Sequence, residues 1–127
     1  MGRYLPSIIW GIIILFVSSL PNLQVPESGF DFGDKIFHFG EYLIFSLFLI
    51  PVARGDSRRP FSRKGITIWQ KIALIGISLA VIDELHQIFI PGRFCELGDI
   101  LADFLGIIVG LLIIRLRGEK CLLKKVL

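Results

Sequence analysis

Ionisable side chains recur at helical spacing in separate apolar stretches of this sequence. Asp34, His38 and Glu41 are three and four residues apart, which places them on one face of a helix. A second stretch holds the adjacent pair Asp83 and Glu84. Carboxylates and imidazoles are the groups that most often transfer protons in general acid–base chemistry. We therefore interpret His38, Asp83 and Glu84 as candidate catalytic residues.

Further polar residues lie near these three and could bind a substrate. They are Lys35, Tyr42, Gln87, Arg93, Asp34, Asp99 and Asp103. The two basic groups are suited to a phosphate or carboxylate. Asp99 and Asp103 could orient the basic groups or bind a divalent cation such as Mg²⁺. No residue pattern requires a metal, so the sequence predicts no cofactor.

Several of these side chains also have a purely structural interpretation. Asp34 and Asp99 lie where helices are expected to begin and could cap them. Arg93 could extend its charge to the lipid headgroups, and His86 could face water. The candidate catalytic residues lie deeper within apolar helices, where ionisable groups are costly and usually functional. A functional role is favoured for those three.

The candidate site residues lie in or next to four long apolar blocks. Hydrophobic residues make up 54% of the 127 positions and the mean hydropathy is +0.73, against about 45–50% apolar residues in soluble domains. A membrane-spanning helix needs roughly 20 apolar residues. The blocks cover residues 4–20, 34–53, 66–90 and 99–116. The sequence predicts an all-α polytopic bundle of four transmembrane helices in a single domain, 1–127.

A soluble helical bundle and a cleaved signal peptide are the two alternatives to four spans. A soluble helical bundle conflicts with residues 8–17 and 107–114, which have no polar face for water. A cleaved signal peptide would explain Arg3 followed by an apolar run, but residues 17–21 lack a clear small-x-small cleavage site. We therefore interpret the first block as a retained helix.

The charges sort by loop. With four spans, all of the 14 basic residues except Lys35 and Arg93 fall on one side of the membrane. All of the 11 acids except Asp56 and Glu119 fall on the other. Lys and Arg collect on the cytoplasmic side, so a multi-pass protein with both termini cytoplasmic is predicted. Membrane lipids are the expected partners, nothing resembles a nucleic-acid-binding module, and the oligomeric state stays open.

Three motifs resemble the VanZ-like family. They are DKxxHFxxY at 34–42, DExxQxFxPGR at 83–93 and DxxADxxG at 99–106, and SSxP at 18–21 is similar as well. The resemblance covers nearly the whole chain in order, although the family more often has asparagine than aspartate at position 103. It implies a bacterial integral membrane protein in a family whose founder is associated with teicoplanin resistance.

The resemblance implies an envelope context without a reaction, and two classes of function remain open. In the first, the chain is an enzyme whose outward-facing acidic site acts on a lipid-linked or glycopeptide-related substrate. In the second, it is a non-enzymatic membrane factor that recognises a wall precursor or glycopeptide, or packs against a larger envelope enzyme.

The charge asymmetry predicts the topology directly. A fluorescent protein, which is active in the cytoplasm, should be active when fused at residue 60 and inactive at residue 95. A phosphatase, which is active outside the cytoplasm, should show the opposite result. A cytoplasmic position for residue 95 would refute the orientation.

Overall fold

The described residues of this chain are entirely helical. A computed structural model describes residues 2, 4–21, 32–54 and 67–123, and these contain no strand. The helices are α1 (Leu5–Ser18), α2 (Phe32–Phe48), α3 (Ile50–Arg54), α4 (Ile68–Gln87) and α5 (Leu97–Leu123). The predicted all-α class is therefore confirmed.

The predicted helix bounds need three corrections. The second block, 34–53, is not one uninterrupted helix, because α2 ends at Phe48 and the short α3 follows. Pro51 has no N–H to donate to the preceding turn, which accounts for a break here. The third helix ends at Gln87, before a turn whose Gly92 has a left-handed φ of 79°. The fourth helix begins earlier, at Leu97, and extends beyond residue 116.

Two segments are long and apolar enough to cross a membrane. They are Gly33–Val52 and Leu97–Leu116, each of 20 residues. Helix α1 is apolar but has 14 residues, and α4 carries Lys71 besides its two acids. The four-span topology therefore stays a prediction. Ten of the 25 charged residues on which the orientation depends, including those of 55–66 and 22–31, lie outside the described residues.

The helices place apolar side chains outside and polar ones inside. Phe37, Phe89 and Leu97 are 72%, 81% and 79% exposed, whereas Asp83 and Asp103 are fully buried. A soluble protein shows the reverse pattern, because large exposed apolar patches are rare on such proteins. The distribution suits a protein whose outer surface contacts hydrocarbon.

Helices α2 and α5 pack together more extensively than any other pair. Their contact depends on glycines: a Cβ at Gly106 would collide with the Phe39 carbonyl oxygen and lie 2.9 Å from the Leu43 nitrogen. A Cβ at Gly110 would collide with the Ser46 hydroxyl. Small residues let helix backbones approach closely in membranes. This approach brings the polar first turns of α2 and α5 side by side.

The remaining helices are joined to this pair by specific contacts. Trp10 of α1 donates its indole N–H to the Glu41 carbonyl oxygen of α2 at 2.9 Å. Helix α4 begins with a capping box, in which Thr67 and Gln70 satisfy each other's backbone N–H groups. An apolar core that includes Ile14, Tyr42 and Ile107 fills the space between the helices.

Substitution of Gly106 should weaken the α2–α5 contact. We expect Gly106→Ala to lower the free energy of unfolding by about 1–3 kcal/mol, because the colliding atoms belong to the α2 backbone and cannot rotate away. Gly40→Ala is the matched control, since no atom lies within 4 Å of a Cβ there. Unfolding in detergent micelles measures both. Equal stability of the two variants would contradict this packing.

Candidate functional site

A cavity of about 170 Å³ lies at the end of the bundle where α1 and α4 end and α2 begins. Residues of the final turn of α1, the first turns of α2, the last turns of α4 and the following loop surround it. They are Val17, Ser18, Gly33, Asp34, Phe37, His38, Glu41, Asp83, Gln87 and Arg93. An engineered apolar cavity of about 150 Å³ holds benzene, so this one can hold a group of similar size.

Buried polar atoms without hydrogen-bond partners face this region. Among the cavity-lining residues they are Gln87 Nε2 and Arg93 Nε. The Ser18 hydroxyl and the Asp83 carboxylate interact with each other and have no other partner in the described part of the chain. All four residues are at most 8% exposed. Buried polar side chains in native proteins nearly always have partners, and exceptions call for a functional explanation. The cavity therefore combines the donors of Ser18, Gln87 and Arg93 with the Asp83 carboxylate, and two further carboxylates, those of Asp34 and Glu41, also line it.

Arg93 is held at the cavity by two contacts. Its Nη2 donates to the Val17 carbonyl oxygen at 3.4 Å, and its Nη1 lies 3.9 Å from the Asp34 carboxylate. The side chain is 8% exposed, so its charge faces the interior of the bundle and not solvent. This burial favours a place at the cavity over the interpretation of Arg93 as an interfacial residue.

His38 lies at the centre of a buried acidic cluster. Its Nδ1 is 3.0 Å from Asp103 Oδ1 and 4.0 Å from Glu84 Oε1. The other Glu84 oxygen accepts the Glu96 backbone N–H at 3.2 Å. The cluster thus connects α2, α4 and α5 through side chains that are almost completely buried.

Lys35 lies outside the cavity lining. Its amine donates to Glu96 at 3.0 Å and to Asp99 at 3.2 Å. Asp99 lies within the first turn of α5 and is 2% exposed. Its carboxylate therefore forms a tertiary ion pair with Lys35, a contact that a helix-capping role alone would not explain.

Two contacts beside the cluster were not predicted from the sequence. Ser19 Oγ lies 2.9 Å from His86 Nε2, so α1 reaches α4 and His86 does not simply face water. Cys95 lies in the loop before α5, where desolvation and the neighbouring Glu84 raise the pKa of its thiol. The thiol is therefore protonated at neutral pH. No local sequence signal indicates either contact, because both join residues from different elements.

The structure separates the predicted site residues into two groups. The cavity is lined by Asp34, His38, Asp83, Gln87 and Arg93. The others, Lys35, Tyr42, Glu84, Asp99 and Asp103, lie outside its lining. Glu41, which shares a helical face with Asp34 and His38, lines the cavity as well, and so does Ser18, a candidate nucleophile only if the first helix reaches the site.

Within the part of the chain that the structure describes, two sets of three residues have the geometry to hold a metal ion. They are Asp34, His38 and Asp99, and His38, Glu84 and Asp103. In each set the potential ligand atoms lie within 4.8 Å of one another. One imidazole nitrogen and two carboxylates form a donor set that divalent metal ions accept.

Removal of His38 should destabilise the bundle. We expect His38→Leu to lower the free energy of unfolding by about 3 kcal/mol, because it leaves Glu84 and Asp103 buried without their basic neighbour. His86→Leu, which removes a single hydrogen bond, should cost about 1 kcal/mol. Unfolding in detergent micelles compares the two. A larger loss for His86→Leu would contradict the central place of His38.

The comparisons with known proteins agree with the resemblance of the motifs. No curated protein and no solved structure matches this chain significantly. The family model described as VanZ/LLP1 matches residues 5–118, a range that includes α1 to α4 and most of α5. With its two helices long and apolar enough to cross a membrane, the chain is a membrane protein, and it belongs to the VanZ/LLP1 family.

Proposed function

We propose that this protein binds the polar headgroup of a lipid-linked cell-envelope substrate in the cavity at one end of its bundle. The observation that carries the proposal is the pair of buried donors, Gln87 Nε2 and Arg93 Nε, that have no partner and lie beside the Ser18 hydroxyl and the Asp83 carboxylate in one cavity. Guanidinium, amide and hydroxyl donors suit phosphate or sugar oxygens. A carboxylate suits a substrate hydroxyl.

The cavity volume limits what can enter. About 170 Å³ accommodates one phosphate or a small part of a sugar, and excludes an entire wall precursor. Exposed apolar residues such as Phe37 and Phe89 surround the same end of the bundle. A lipid could place its headgroup in the cavity while its chain contacts these side chains.

The charge sorting of the sequence supports an extracytoplasmic site. In the proposed topology of four spans with both termini cytoplasmic, the ends of α1 and α4 and the starts of α2 and α5 face outward. A role connected with teicoplanin or other glycopeptides is compatible with this placement and is part of the proposal.

Chemistry at the bound headgroup would use the cavity carboxylates. Asp83 is within the lining, and His38 connects the lining to Glu84 and Asp103. A carboxylate and an imidazole in one buried site can accept and return a proton during hydrolysis or group transfer. The alternative is a non-enzymatic factor, favoured by the fact that the His38 cluster also joins three helices.

Single neutral substitutions separate a functional pocket from a packing network. Asp83→Asn and Arg93→Gln should each abolish a drug-susceptibility phenotype without reducing membrane abundance, because they remove a charge and keep a hydrogen-bonding side chain. Glu96→Gln and Arg115→Gln, on exposed residues, are the matched controls. Teicoplanin susceptibility and immunoblots of membranes provide the readouts. Parallel loss of phenotype and abundance would favour packing.

The lipid-linked precursors themselves distinguish an enzyme from a binding factor. Their composition, measured by mass spectrometry in cells with and without the protein, should change if the site performs a reaction. An unaltered composition together with headgroup binding by the purified protein would favour the non-enzymatic alternative.

A further inference from the structure

We infer that His38, Glu84 and Asp103 form a binding site for one divalent transition-metal ion such as Zn²⁺ or Mn²⁺. The inference deepens the proposed function and rests on it, because His38 also lines the cavity proposed for the headgroup. It concerns the chemistry of the cluster and is tested in the absence of lipid.

The distances between the ligand atoms fit a single ion. Metal–nitrogen and metal–oxygen bonds of about 2.0–2.2 Å allow two ligand atoms of one ion to lie up to about 4.4 Å apart. The two measured separations from His38 Nδ1 are 3.0 Å to Asp103 and 4.0 Å to Glu84. All three atoms lie within 4.8 Å of one another. A small rotation of one carboxylate would complete the coordination triangle.

The burial of two carboxylates points independently to a cation. Asp103 Oδ2 has no hydrogen-bond partner although the residue is 0% exposed. Glu84 is 1% exposed, and besides the Glu96 N–H only the Cys95 thiol, a weak donor, reaches its carboxylate within the described residues. A buried carboxylate is costly unless a proton, a basic group or a metal compensates its charge. Here one imidazole faces both carboxylates. A divalent ion would compensate the negative charge that His38 alone leaves uncompensated.

The surroundings hold one ligand in position. Glu84 Oε2 accepts the Glu96 backbone N–H at 3.2 Å, which orients Oε1 towards His38. Such outer contacts are typical of metal ligands. Because the set contains an imidazole, it favours a first-row transition metal over Mg²⁺, which prefers oxygen ligands and retains several waters.

The competing set of Asp34, His38 and Asp99 is less suitable. The Asp99 carboxylate already lies 3.2 Å from the Lys35 amine, and Asp34 is 3.9 Å from the Arg93 guanidinium. The Asp34 side chain is also 29% exposed. Cations of the protein itself therefore compensate these two carboxylates, whereas Glu84 and Asp103 share only His38.

Metal binding by the purified protein tests the inference. The detergent-solubilised full chain is stripped of metal and titrated calorimetrically with Zn²⁺, Mn²⁺ or Mg²⁺, and Co²⁺ absorption reports nitrogen and oxygen ligation. One equivalent of Zn²⁺ or Mn²⁺ should bind. Glu84→Gln and Asp103→Asn should weaken binding by more than about 100-fold, the upper range for loss of an outer contact alone.

Controls separate this site from its neighbours. Glu96→Gln makes the same chemical change on an exposed side chain, and Asp34→Asn tests the competing set; both should bind metal as the wild type does. The inference is overturned if the wild type binds neither Zn²⁺ nor Mn²⁺, binds only Mg²⁺, or loses binding in Asp34→Asn but not in Asp103→Asn. Size-exclusion profiles verify that each variant is folded.

A separate lipid-binding measurement keeps the two proposals distinguishable. Absence of metal binding with intact headgroup binding would remove the metal site and leave the proposed function. Metal binding without headgroup binding would leave the metal site and remove the proposed function.

Discussion

The cost of placing an ionisable side chain against hydrocarbon constrains the whole arrangement of this chain. A charge on the lipid-facing surface of a helix is unfavourable by a few kcal/mol near the bilayer centre. Acids deep within α2, α4 and α5 are therefore expected between helices and not against lipid. Asp83, Glu84 and Asp103 are indeed at most 1% exposed, while large apolar side chains form the outer surface. The same constraint concentrates the chemically active groups at one end of the bundle.

Glycine packing determines how close those groups come. Because Gly106 and Gly110 leave no side chain between α2 and α5, the two backbones approach until His38 and Asp103 are 3.0 Å apart. Helix α4 adds Glu84 to this pair, and α1 closes the neighbouring cavity with Ser18. An acidic cluster and a donor-rich cavity thus adjoin through one imidazole. This adjacency makes headgroup binding and metal binding parts of one proposed site.

Much of the fold and part of the site could be predicted from local patterns. Apolar blocks and helical spacing predicted the all-α class, and the spacing of Asp34, His38 and Glu41 placed them on one face, which lines the cavity. The motif pattern led to the family. The break before Pro51 and the early end of α4 were missed, because the apolar blocks continue through both points without a change in composition.

The sequence by itself determined which side chains carry charge, on which helical face they lie and which surfaces must avoid water. Only the tertiary structure decided their partners. Lys35 pairs with Asp99 and Glu96, and Ser19 contacts His86 across 67 positions of chain. Such contacts depend on how closely and at what angle the helices cross. The distance and the crossing angle between two helices arise from packing between segments that are far apart in the sequence. The spacing of residues within one helix contains no information about that packing.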